Sequence, residues 1–239
     1  MDRRNSSPPR ADICVLGLRG FPDVLGGVET HCEQILTRIA RTASVRTLVL
    51  ARRGYMRGPV RMNDRLEVRP VFSLRNKYLE ALPNAVVALV HAWLRERPRV
   101  VHIHGIGPAL VAPLAKLLGM KVVVTHHGAD YRRAKWNVFG RITLRLGERA
   151  ALRWADRIIA VSPSLARDLR LAHPRRAGRI RYIPNGAEPF AAADAAPPAQ
   201  VLGALGLNPN GYIFTACRLV PEKRLHDLIV AVRASSPSR

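Results

Sequence analysis

The chain is poor in acid. It carries 17 Asp and Glu against 39 Lys and Arg, a formal net charge of +22 over 239 residues. Cysteine is also scarce. Cys14, Cys32 and Cys217 are odd in number, far apart and in no Cys-x-x-Cys pair, which excludes a disulfide framework or a zinc-ribbon reading and suits a reducing compartment. No uninterrupted apolar run of spanning length occurs. The best stretch, Leu79 to Leu94, is broken by Glu80, Pro83, Asn84 and His91, so no bilayer-crossing helix is expected. The opening MDRRNSSPPR has no apolar segment behind its charges, unlike a secretory leader. Lysine is rare, confined to Lys77, Lys116, Lys121, Lys135 and Lys223, so arginine carries the positive excess. Arg-Arg pairs at 3–4, 52–53, 132–133 and 175–176 are scattered and have no aromatic interleaving, which gives no nucleic-acid motif. Two explanations of the excess stand side by side: a compositional habit, or an anionic partner such as a lipid surface or a phosphorylated small molecule.

What is present alternates. Apolar runs at 13–18, 45–51, 65–71, 99–105, 121–127, 157–162 and 179–186 read as strands, and segments 28–42, 78–97, 108–118 and 139–155 as helices, with Pro83 marking a late start. Ser162 or Ser164 offers a cap for a further helix. The strands lack period-2 alternation, as expected of a parallel sheet covered on both faces. This predicts a disordered tail at 1–11 and a doubly wound α/β domain over 12–187. A small-residue, proline-bearing linker then spans 188–210. A second Rossmann-like domain opens at 211–239 with only a strand (212–220) and a helix start (227–234). Because one strand and one helix do not make a domain, the chain is expected to be incomplete.

Three segments hold residues suited to chemistry. In the loop 17–30, Gly26 and Gly27 precede a helix, where free N–H groups and the positive dipole end favour an anion; a plain tight turn is the competing reading. His102 and His104 end one strand on a common face, and His126 and His127 end the next on opposite faces. Ligands of open α/β sheets bind beyond such strand ends. These imidazoles would orient a substrate hydroxyl. Alternatively they are satisfied histidines in the sheet layer, His102 above all, or a metal site of the His-x-His pair with Asp130. Arg218, Lys223 and Arg224 lie at a predicted strand-to-helix turn, suiting either a diphosphate or a solvated basic loop.

Taken in order, Gly26-Gly27-Val28-Glu29-Thr30, HIHGIGPAL (102–110), VVVTHHGAD (122–130), LGERAALRWADRIIAVS (146–162), YIPNG (182–186) and RLVPEK (218–223) resemble glycosyltransferase family 4 over about residues 12–233. The resemblance implies a GT-B fold with the active site between two α/β domains, and retaining transfer of a hexosyl-type sugar. The KYLE segment at 77–80 resembles a subgroup in which rhamnosyl transfer for surface polysaccharide is common. By the same resemblance His127 is the catalytic residue, and Gly26, Gly27, Arg218 and Lys223 bind the donor diphosphate. Glu29, His104, Asp130 and Asn185 then face the acceptor and cleft. No metal and no cofactor are implied, since the basic pair neutralises the leaving diphosphate. The implied partners are a nucleotide-sugar donor, a glycan or polyprenyl-linked acceptor and an anionic membrane touched peripherally, with no nucleic acid. The implied location is the cytoplasm or the inner face of its membrane. One family feature, a Glu-(x)7-Glu pair, is missing from these residues. This chain alone is therefore expected to be inactive, and an isolated acceptor- or membrane-binding domain without catalysis is the alternative.

Overall fold

The computed structural model describes residues 10–74, 80–133, 136–186, 198–217 and 219–235. The chain divides into two compact units, Met1–Asn185 and Gly186–Arg239.

The first unit is built on one eight-stranded sheet. Its strands are β1 (Ile13–Leu16), β2 (Thr47–Arg52), β3 (Val60–Asn63), β4 (Leu66–Val71), β5 (Val100–His104), β6 (Lys121–His126), β7 (Arg157–Ala160) and β8 (Ile180–Tyr182). They lie in the order β3-β4-β2-β1-β5-β6-β7-β8. All pairings are parallel except β3 with β4. The chain builds leftward from β1 to β4, then returns across the sheet to place β5 on the other flank of β1. Between β1 and β5 the direction of winding reverses, which opens a crevice beyond their carboxyl ends.

Apolar side chains on both faces explain the runs seen in the sequence. Cys14 and Leu16 enter one core layer, and Val15, between them, enters the other. The larger layer packs against α2 (Ala81–His91), α3 (Ala112–Leu117), α4 (Val138–Trp154) and α5 (Pro163–Ala172). The smaller layer packs against α1 (Gly27–Thr42) through Cys32, Leu36 and Ala40. Each fully buried leucine in these layers stabilises the fold by about 2–5 kcal/mol relative to alanine.

Local signals set the helix ends. Pro83 lies in the first turn of α2, where its missing N–H costs nothing. The same helix widens into a π-type turn over Ala92–Glu96 and stops at Arg97, whose φ of 49° is left-handed. The Ser162 side chain accepts a hydrogen bond from Leu165 N and so caps α5, while Asn137 accepts from Gly140 N at the start of α4.

Several expectations need correction. β3 was not anticipated, because a short edge strand with polar residues carries no apolar run. The last strand of the unit, β8, is shorter than the predicted 179–186. In the second unit, the predicted strand over 212–220 is not formed: residues 212–217, 219 and 220 have no regular structure. Its β-forming sequence has no neighbour to pair with among the described residues, and an unpaired strand gains no ladder hydrogen bonds. Helix α7 (Leu225–Ser235) forms, as does a 3-10 turn at Pro221–Lys223. Part of the expected linker is helical, in α6 (Pro198–Ala204), and residues 187–197 lie outside the described set.

Candidate functional site

The crevice begins at the end of β1. Gly17 adopts φ +94°, and a Cβ at this position would overlap the carbonyl oxygen of His104, at the end of β5. Two strand ends thus meet at a glycine that no other residue replaces without strain. From Gly17 the loop runs to α1 over the fully buried Phe21, whose bond to Pro22 is cis.

An ion pair braces that loop. Arg19 donates from its backbone N, Nε and Nη2 to the Glu29 carboxylate at 3.3, 3.0 and 2.9 Å, and Nη2 also donates to Leu25 O. Burial alone would raise the Glu29 carboxyl. The Arg19 side-chain hydrogen bond and backbone bonds outweigh burial and hold its pKa below the ordinary value. Arg19 is raised in turn, chiefly by the hydrogen bond to Glu29. Glu29 is only 5% exposed and its oxygens are committed to Arg19, so it anchors the loop on α1. A Cβ at Gly26 would overlap Glu29 Oε2 and Arg19 Nη2 and so displace the ends of this pair, whereas Gly27 faces open space. Gly26 has no side chain to cap α1, and within the first turn the Glu29 carboxylate accepts from its own backbone N–H.

A group of histidines forms the opposite wall. His104 is buried, with Nδ1 3.1 Å from Nε2 of His127 and 3.3 Å from Sγ of Cys32 on α1. The His104 and His127 rings stack at 26° with centroids 5.3 Å apart. His102 lies behind, its ring 4.2 Å from that of His104 and its Nε2 2.8 Å from Thr125 Oγ1. His31, on α1, meets His127 edge-on at 5.7 Å and His104 at 6.2 Å. All four are held neutral. Burial lowers His31, and burial followed by repulsion from His127 and His31 lowers His102 to about 4. His104 is pushed well below its usual value by burial and by the other three rings. Burial, His31 and His126 bring His127 to about 4 against a small opposing pull from Glu29. At neutral pH these rings exchange hydrogen bonds and carry no charge.

His126 points the other way, as strand alternation requires. Its Nε2 is 2.7 Å from Glu148 on α4, and its Nδ1 accepts from Gly128 N. Tyr131 also donates to Glu148, at 3.4 Å. This pins the turn after β6 to α4 and so sets the position of His127. Gly147, one residue before Glu148, lets α4 press on the carbonyl of Ile106, where a Cβ would overlap.

The structure therefore brings together Gly26, Gly27, Glu29, His104 and His127 around one crevice. His31, Cys32 and Arg19 join them, and sequence reading missed all three. The only available signal for His31 and Cys32 was their place on the first turns of the helix that follows the glycine loop. Asp130 lies in the turn after β6 and pairs with Arg133 at 3.0 Å. Asn185 is exposed beyond β8, three strands from β5, and is not gathered with the histidines. Lys223 is exposed in the 3-10 turn of the second unit, and Arg218 lies outside the described residues. Among the described residues no three His, Cys, Asp or Glu side chains are grouped to hold a metal ion.

A doubly wound sheet with a glycine loop at its switch point defines a Rossmann-like α/β protein, a class whose ligands bind beyond the carboxyl ends of the strands. Sequence comparison then supplies the family. The profile of Glycosyltransferase Family 4 matches residues 25–189, and the chain belongs to that family. Among solved structures it is similar to HepE of Anabaena in complex with UDP-glucose, at 19% identity and a TM-score of 0.63 over 94% of this chain and 58% of that one. It is also similar to sucrose-phosphate synthase from Thermosynechococcus elongatus, at 19% identity and a TM-score of 0.61 over 83% of this chain and 53% of that one. The chain thus spans little more than half the length of these structures, and the likeness establishes an α/β fold of GT-B type. No curated protein matches the chain.

Proposed function

We propose that this chain supplies the acceptor-side half of a retaining glycosyltransferase that moves a hexosyl-type sugar from a nucleoside diphosphate to a glycan or polyprenyl-linked acceptor. The observation that carries the reading is the neutral His104–His127 pair at the carboxyl ends of β5 and β6, held against α1 through Cys32 and His31. An uncharged imidazole at His127 hydrogen-bonds sugar hydroxyls without fixing a charge beside the reacting carbon. Gly26 and Gly27 open the α1 N-terminus to the donor diphosphate. In the step itself, the bond between the anomeric carbon and the diphosphate oxygen breaks and its electron pair leaves with the diphosphate. The acceptor hydroxyl oxygen forms the new bond, and its proton passes to the departing diphosphate oxygen. Arg218 and Lys223 would neutralise the leaving group, a role that calls for no metal. A rhamnosyl donor, work in surface-polysaccharide synthesis, a cytoplasmic setting and peripheral contact with the membrane's inner face belong to the same reading. Among the described residues no helix is long and apolar enough to cross a membrane.

The donor-side groups are incomplete here. No two glutamates stand eight positions apart in the sequence. The chain by itself is accordingly proposed to bind acceptor without turnover. The test titrates the chain with soluble oligosaccharide acceptors and nucleotide sugars while following the imidazole resonances of His104 and His127. Acceptor-induced shifts with no sugar released are expected. Sugar transfer by the chain alone refutes the division of the site, and silence of both rings to every acceptor refutes the acceptor-side reading.

A further inference from the structure

The inner and outer sides of α4 differ in an unusual way. Leu144, Gly147, Ala151 and Leu152 face the core. The opposite side of the helix divides along its length. Its first turns expose Val138 (66%), Phe139 (80%), Ile142 (49%) and Leu146 (46%), large apolar side chains confined to one arc at 100° per residue. Arg149 and Arg153 continue that arc, with Arg141 and Arg145 along its flank, all exposed. The acids near it are engaged elsewhere: Asp130 with Arg133, and Glu148 with His126 and Tyr131.

The position of this face follows from two contacts. Asp156, just past the helix, bonds Val122 at the start of β6, and Glu148, in the middle of α4, bonds His126 at its end. The helix therefore runs antiparallel to β6, and residues 138–146 rise past the carboxyl edge of the sheet. At 1.5 Å per residue the overhang reaches about 13 Å at Phe139. The exposed apolar turns stand on the crevice side of the unit, beyond the loop that carries His127.

We propose that the outer face of the first half of α4 docks on an anionic lipid bilayer, with Phe139 and Ile142 entering the acyl boundary and the flanking arginines meeting the headgroups. Exposed apolar clusters beside cations are the signature of interfacial binding. Charge complementarity selects the occupant: a second copy would set the same arginines against one another, and a nucleic acid gains little from aliphatic side chains. The proposal deepens the lipid-linked-acceptor reading and rests on it for its purpose, since docking there would bring a bilayer-held acceptor to the crevice.

The test is sedimentation of the full chain with vesicles of phosphatidylglycerol and phosphatidylcholine in equal parts, and with pure phosphatidylcholine, at low and high salt. Binding to the anionic vesicles at low salt is expected. It should weaken at least tenfold on pure phosphatidylcholine, at high salt, or in a Phe139→Ser/Ile142→Ser variant. Both substituted side chains are exposed, so that variant should keep the wild-type unfolding midpoint. Leu94→Ser, which alters an exposed apolar residue of the π-type turn after α2, should bind as the wild type does. The proposal is overturned if the wild type stays in the supernatant, if the α4 variant sediments unchanged, or if Leu94→Ser is the one that fails. It is equally overturned if the α4 variant instead abolishes a dimer seen by sedimentation equilibrium. Sugar transfer plays no part in this readout, so failure here leaves the glycosyltransferase reading standing, and a failed acceptor titration leaves the docking face standing.

Discussion

Acidification should unfold the sheet unit well before its carboxylates protonate. The perturbation is a fall in pH from 7.5 to 4.5. His102 and His127 titrate near 6.5 when unfolded and at about 4 when folded. Their folded pKa is depressed, so the unfolded state binds protons first. The stability they contribute is complete above about pH 6.5 and is lost as the pH falls toward 4. Each such histidine removes about 1 kcal/mol by pH 5.5 and about 3 kcal/mol at full separation. His104 and His31 shift in the same direction and add to the loss. The total stays below the sum, because each proton taken up by one ring raises the cost for its neighbours. Glu29 and Asp156 are also lowered, but their window lies beneath their ordinary carboxylate values and opens only in stronger acid. Urea titration at half-unit pH intervals, followed by circular dichroism, measures the effect. The unfolding midpoint should hold steady from pH 7.5 to 6.5 and then drop steeply. A His102→Gln variant should show a shallower drop. A flat midpoint down to pH 5, or one that rises, would refute the claim that these rings are buried and neutral.

Two substitutions probe the scaffold around the crevice. Gly17→Ala combines a left-handed backbone with overlap on the His104 carbonyl, and should cost about 3 kcal/mol in a urea titration at pH 7.5. Arg19→Met strips the Glu29 carboxylate of its hydrogen-bonded partner while leaving it buried. With Arg19 itself one-third exposed, the expected cost is about 2 kcal/mol, and Glu29→Gln placed on top of it should restore much of the loss.

Strand ends announced themselves: ICVLGL and RVVHIHG are apolar runs stopped by glycine, and a sheet buried on both faces demands such runs. The order in which the strands lie was not legible. Nothing in β5 specifies that it pairs with β1 and not with β4, since backbone ladders form between any two strands that tertiary packing brings side by side. β3 escaped notice because an edge strand buries little. Residues 212–220 were mistaken for a strand because β-propensity reports fitness for a pleated surface and cannot supply the neighbouring strand.

By itself, then, the sequence determined the alternation of elements, the glycine loop before α1, a serine cap at 162 or 164 and the apolar layers, all of which depend on neighbours a few residues apart. Only the tertiary structure decided that Cys32 would lie 3.3 Å from His104, that His31 would close on His127, and that Glu29 would be spent on Arg19. The histidine contacts join side chains brought together by the crossover from β4 to β5, whereas the Arg19–Glu29 pair closes within the β1–α1 loop, and the lowered pKa values of the histidines follow from the burial and mutual repulsion the crossover creates. Local propensity acts over a few residues, whereas desolvation depends on everything that packs around a group.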